Sequence, residues 1–218
     1  MAGGARSVSI PRSSAVHEAG HAIAGRRYGF GFESVHVAER GSSLIDGAGR
    51  KVGGFCRGLE WFTDLDIWPH ISEAHENYRI DARERAFRCA VVYLAGSDAE
   101  ARQSKRSALS SALTGGRHDL VLVGRIAKFI ATSKEDEKKF SRATETESRR
   151  FVRDPVMWAA INALADLLQA RGKGEADEPD VIAITEPIER LADLEIPGVG
   201  SELDLYEAFR ATSLKLAG

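Results

Sequence analysis

The stretch that decides how this chain folds is Ala15-Val16-His17-Glu18-Ala19-Gly20-His21-Ala22-Ile23-Ala24-Gly25. Val16, Gly20, Ile23 and Ala24 recur on one stripe at helical spacing, and Gly29 offers a stop, so a helix is expected over residues 11–28. Two histidines four residues apart on such a helix project from one face, one turn apart, and can aim a ring nitrogen at the same ion. The H-E-x-x-H form adds Glu18, one step round the helix and so beside that ion rather than on it. From there its carboxylate can take a proton from a water that a zinc ion acidifies to a pKa of about 7. Ala19 and Gly20 are small enough to let a second helix or a substrate come close.

A catalytic zinc takes three protein ligands and leaves one position for water, so a further His, Asp or Glu must arrive from elsewhere. The candidates are Asp119, His118, Glu100, Asp98, His70, His75 and His36. Asp119 ranks first. It shares the inward stripe of a helix expected after Gly115-Gly116 with Val123, Ile126 and Ile130, where an unpaired carboxylate is expensive and a metal would neutralise it. Glu100 ranks second, either as the ligand itself or as the group that orients a ligating histidine. His36, His70 and His75 are isolated and read as surface or hydrogen-bonding histidines.

Outward from the histidine helix, residues 32–38 and 52–57 read as two short strands around a Gly/Ser/Asp loop. Residues 59–71 form an aromatic-rich stretch with Trp61, Phe62 and Trp68. A long packing helix is expected over 80–102 through Ala82, Ala86, Phe87, Ala90, Val91, Leu94 and Ala95. The charge-dense segment 134–150 reads as a solvated helix. Asp154-Pro155 makes an N-cap and first-turn pair that opens a helix closed by Gly172. Residues 172–179 read as a linker, and two short helices around 181–194 and 202–216 complete the chain. The expectation is a mainly α fold with a small two- to three-stranded β element, organised as one domain over 1–218 with its core in 1–172 and a helical extension in 173–218.

The chain has 218 residues, 43% hydrophobic and 28% charged, with a net charge of -2 and a pI near 6.3. This is an ordinary globular composition without the basic field that would gather nucleic acid or an anionic membrane. Cys56 and Cys89 are the two cysteines; they form no CxxC pair and no disulfide framework, and read as buried, inert thiols of a reducing cytoplasm. No apolar run is long enough to span a bilayer, and residues 1–14 lack the apolar centre of a secretory leader. A soluble, cytoplasmic protein is expected.

Three segments together resemble the peptidase domain of the FtsH family, membrane-anchored ATP-dependent zinc proteases. The stretch from Ala15 to Gly25 is close to that family's zinc helix. Leu94-Ala95-Gly96-Ser97-Asp98-Ala99-Glu100 resembles its LGGRAAE segment, with Ala95 and Ser97 as departures. Thr114-Gly115-Gly116-Arg117-His118-Asp119-Leu120 resembles its TGASNDL segment, with His118 where the family usually has a small amide. The resemblance implies His17, His21 and Asp119 as zinc ligands and Glu18 as catalytic base. It thins beyond Ile130.

The resemblance and the residues together imply a zinc metalloendopeptidase acting on exposed or unstructured polypeptide. No G-x-x-x-x-G-K-[ST] phosphate loop occurs in the sequence, so activity independent of ATP is expected of the isolated chain. Gly47, Gly49 and Gly53 have the wrong spacing for a dinucleotide loop. Two alternatives stand beside this reading: a catalytically weak peptide-binding or regulatory module, and a peptidase subunit that docks on a separate ATPase. The intact His17, Glu18 and His21 argue against the first, because a module freed from catalysis has no need of Glu18. The sequence leaves homo-oligomerisation open.

Overall fold

The computed structural model describes residues 9–46, 49–58, 76–107, 110–111, 116–172 and 174–193. Its order is α1 (Arg12–Arg27), β1 (Ser34–Val37), β2 (Leu44–Ile45), β3 (Lys51–Val52), β4 (Gly54–Arg57), α2 (Glu76–Ser104), α3 (Arg117–Ile130), α4 (Lys134–Arg153), α5 (Pro155–Ala170), β5 (Glu175–Asp177) and α6 (Glu178–Asp193). The architecture is mainly helical with a small antiparallel β element, as the sequence predicts.

α1 is the central helix. Every residue from Ala15 to Gly25 is buried, because α2, α5 and the small sheet all pack around it. A helix enclosed on every side needs small side chains rather than one apolar stripe, and Ala15, Ala19, Gly20, Ala22, Ala24 and Gly25 supply them. Gly20 marks the closest approach: a Cβ built there would lie 2.7 Å from the carbonyl oxygen of Ala95 and 3.0 Å from Ala99 Cβ, both on α2. At its start, Arg12 ties α1 to α5, donating to Asp166, to Gln169 Oε1 at 3.1 Å and to Asn162 Oδ1 at 2.8 Å.

Two apolar clusters hold the helices. The larger joins α1, α5 and β1 through Val16, Ile23, Val35, Ile161, Leu164 and Leu168. The smaller joins α2, α3 and α4 through Ala86, Leu94, Val123, Ile126 and Phe140. α5 opens as its sequence requires: the Asp154 carboxylate accepts from the backbone N–H groups of Val156 at 2.8 Å and Met157 at 3.0 Å, with Pro155 in the first turn.

Three expectations change. α4 is not simply solvated, since Phe140, Thr144, Ser148 and Phe151 form a buried face that packs on α2, while its charges occupy the remainder. The strand expected over 52–57 is split at Gly53. Lys51–Val52 folds back on Leu44–Ile45 as a hairpin, and Gly54–Arg57 pairs with β1. The segment read as a linker contains β5, which takes the other side of β1 and gives the strand order β4-β1-β5. The aromatic-rich stretch 59–71 and the helix expected over 202–216 lie outside the described residues.

Candidate metal centre

His17 and His21 sit on consecutive turns of α1 with their rings edge-on, centroids 4.8 Å apart. Asp119, in the first turn of α3, meets them from across the fold. Nε2 of His17 and Nε2 of His21 are 3.1 Å apart, and Asp119 Oδ2 is 3.4 Å from the first and 3.5 Å from the second. Four-coordinate zinc with bonds of about 2.0–2.1 Å separates its ligands by about 3.3–3.4 Å, so the triangle has the size such an ion requires.

The hydrogen bonds behind the rings point the same way. Nδ1 of His21 donates to the carbonyl of Val92 at 2.8 Å; a carbonyl only accepts, so in the neutral ring the lone pair is on Nε2, facing the centre. Behind His17, Glu100 Oε2 stands 3.3 Å from the buried Nδ1 without meeting hydrogen-bond geometry. Two imidazole lone pairs and a carboxylate oxygen thus converge in a site where all three residues are largely buried. Convergent acceptors need a cation between them. The same need is visible in the titration of His17. Burial is the largest influence and pushes it down, but the Asp119 and Glu100 carboxylates beside the ring and the charge of Glu18 outweigh it and raise the pKa to about 10. Asp119 is held well below the usual carboxylate range: burial opposes ionisation, and both histidines overcome it. A His, His, Asp group of this size and polarity fits a divalent metal ion.

Glu18 is buried beside the ligands and not among them. Burial raises its pKa, against the pull of the two histidines. It lies against β4, where a Cβ on Gly54 would come within 2.6 Å of Oε1, so only glycine leaves room for the carboxylate. Gly96 plays the same part on α2, because a Cβ there would run into the His21 ring.

A cleft of about 600 Å3 opens over the centre. The helices supply its floor through His17, Glu18, His21 and Asp119, while residues 50–56 form one wall and Tyr93 and Leu122 another.

The remaining sequence candidates are placed as follows. Glu100 backs His17 and does not join the triangle. His118 is exposed and accepts from Arg50 Nη1, with Nε2 at 2.6 Å. Asp98 is buried against α4, accepting from Ser148 Oγ at 2.6 Å. His36 stacks on Phe55 and bonds Ser34 Oγ at 2.7 Å. His70 and His75 lie outside the described residues. Cys89 is buried as expected, but Cys56 is half-buried in the cleft with Sγ 3.6 Å from the Glu18 carbonyl oxygen; burial pushes its thiol pKa up and keeps it protonated. Arg50, Tyr93 and Cys56 carried no spacing signal, because they reach the site through tertiary packing.

No protein-family model matches the chain, and neither curated proteins nor solved structures give a match.

Proposed function

We propose that the protein is a zinc metallopeptidase of FtsH-like kind that hydrolyses exposed or unstructured polypeptide. The observation that carries this reading is the His17, His21, Asp119 triangle with Glu18 buried at its side. It is supported by the convergence of the three segments that resemble the FtsH family. Gly20 packs on Ala95 and Ala99, Gly96 packs on His21, and Gly116 packs against Ser97 and Asp119.

His17, His21 and Asp119 would hold the metal. A bound zinc supplies Lewis acidity toward a carbonyl and toward water. Glu18 takes the proton of the attacking water and then delivers it to the leaving amine; the burial that raises its pKa suits it to carry that proton between the two steps. β4 packs on Glu18 through Gly54, and among the described residues no strand pairs with its outer edge. An extended substrate can add there through main-chain hydrogen bonds. β1 lies between β4 and β5 and has no free edge.

Among the described residues no helix is long and apolar enough to cross a membrane. The polypeptide substrate is the partner this site calls for, and the chain's composition gives no reason to add nucleic acid.

The test joins metal analysis to a single substitution. Purified protein should hold about one zinc per chain and digest casein, and Glu18→Gln should keep the metal while losing digestion, because an amide cannot accept the water's proton. Absence of any bound or acquired zinc, or full digestion by Glu18→Gln, would overturn the reading.

A further inference from the structure

One wall of the cleft is residues 51–56, two short strands of different sheets that meet where the chain bends at Gly53. One part of it is fixed beside the base: Gly54 abuts the Glu18 carboxylate and Cys56 Sγ touches the Glu18 carbonyl oxygen at 3.6 Å. The other end is Lys51, paired with Ile45 across the β2–β3 hairpin. That hairpin is tied in place by the residue before it. Arg50 donates its backbone N–H to Asp46 Oδ1 at 2.8 Å, its Nε to Asp46 Oδ2 at 2.7 Å and its Nη1 to His118 Nε2 at 2.6 Å, which links the hairpin to the start of α3.

These bonds divide the charges of the cleft rim into engaged and free. Asp46 and Arg50 neutralise each other, as their ion pair at 2.6 Å shows. Lys51 is exposed and takes part in no ion pair among the described residues. The acidic groups on the floor, Glu18 and Asp119, are buried against the histidines. Resting on the peptidase reading, we infer that Lys51 forms a substrate subsite selecting an acidic side chain at one position to one side of the scissile bond. Lys51 lines the same cleft as Glu18 and the metal triangle, so a peptide seated there with its carbonyl at the base passes close to the ammonium. Because the ammonium is exposed, the preference is modest, about two- to fivefold in kcat/KM, and weakens as salt screens it.

The experiment uses the full-length, zinc-loaded chain and quenched-fluorescence peptides that share one cleavage site, located first by mass spectrometry. Glutamate, and in a second series lysine, is stepped through every position on both sides of that bond. The expected result is a glutamate preference confined to one position on one side of the bond, reduced at high salt and reversed toward lysine by Lys51→Glu. In the Glu18→Gln background, binding of the same peptides followed by fluorescence anisotropy should show the same ranking without turnover. A flat profile along the peptide, or an unchanged preference in Lys51→Glu, overturns the subsite and leaves the peptidase reading standing. The wild-type scan and its salt dependence decide the matter even if that variant fails to fold. A chain that takes up zinc yet neither cleaves nor binds any peptide overturns both.

Discussion

Asp119 and Glu100 approach the same imidazole from its two ends, and that difference assigns their tasks. Asp119 Oδ2 lies at equal reach of Nε2 on both histidines, while Glu100 Oε2 meets only Nδ1 of His17. Removing Asp119 takes away one of three donors; removing Glu100 leaves the donors and loosens one ring. Groups behind a ligating histidine usually contribute about 10–100-fold in metal affinity, so Glu100→Ala should lose about that much and Asp119→Ala clearly more. Competition with a chromogenic chelator measures both, and the reverse ranking would make Glu100 the ligand. Both acids were legible in the sequence, Asp119 because it falls on the inward stripe of a periodic helix and Glu100 because it belongs to the long packing helix. The bond between His118 and Arg50, and the seat of Cys56 beside Glu18, were not, since both depend on a hairpin and strand whose two-residue and four-residue lengths carry no usable period.

Among the elements, α1 and α2 are in the closest contact, and Gly20 sets their spacing. Gly20→Ala gains about 1 kcal/mol of intrinsic helix preference. Against that gain the new Cβ meets a backbone carbonyl at 2.7 Å, an atom that cannot turn aside, so the helices must part. Overpacking of this kind costs about 1–3 kcal/mol, and the urea midpoint should fall. Zinc affinity should fall with it, because Ala95 neighbours the glycine on which His21 rests; an unchanged midpoint would contradict the crossing. The helices were legible from apolar spacing and from caps such as Asp154-Pro155. α4 was misjudged for a physical reason: its mean composition is charged, and only Phe140, Thr144, Ser148 and Phe151 reveal the face that α2 covers. β5 was missed because a three-residue strand is defined by its partner, β1, and not by its own sequence. At the start of α4, Arg83 of α2 donates to Asp136, with Nη2 to Oδ1 at 2.6 Å and Nη1 to Oδ2 at 3.0 Å. These bonds, chiefly, and the backbone N–H of Thr132 hold the Asp136 pKa down to about 2. A carboxyl lowered in the folded state adds stability that is complete above its unfolded pKa of about 4 and is lost as pH falls toward 2. Melting temperatures of the wild type should therefore fall more steeply across that window than those of Asp136→Asn, which lacks the contribution at every pH. Equal slopes in circular dichroism melts would refute the linkage.

At the scale of the whole molecule, a peptidase built on this cleft, as proposed, would cut only certain kinds of polypeptide. Glu18 is buried at the foot of the wall formed by residues 50–56, and a peptide substrate would have to lie extended along β4 to bring a carbonyl to the metal triangle. A folded domain would first have to open, against a stability of about 5–15 kcal/mol. The sequence contains no phosphate-binding loop through which ATP hydrolysis could drive that opening, a feature that was legible without any structure. What the sequence did not disclose is how the wall is built, because residues 50–56 acquire their place only when Arg50 reaches His118 and Gly54 closes on Glu18. The expected behaviour is rapid digestion of casein and slow digestion of a stable folded domain of similar size, with ATP making no difference to either. The slow reaction should track the fraction of the domain that opens spontaneously. A destabilised variant of the same domain, opening about tenfold more often for each 1.4 kcal/mol lost, should then be cut about tenfold faster while the casein rate stays fixed. Gel-based time courses of the three substrates, with and without ATP, measure this directly. Fast ATP-stimulated loss of the stable domain would show that these 218 residues contain a motor that neither the sequence motifs nor the metal cleft provides.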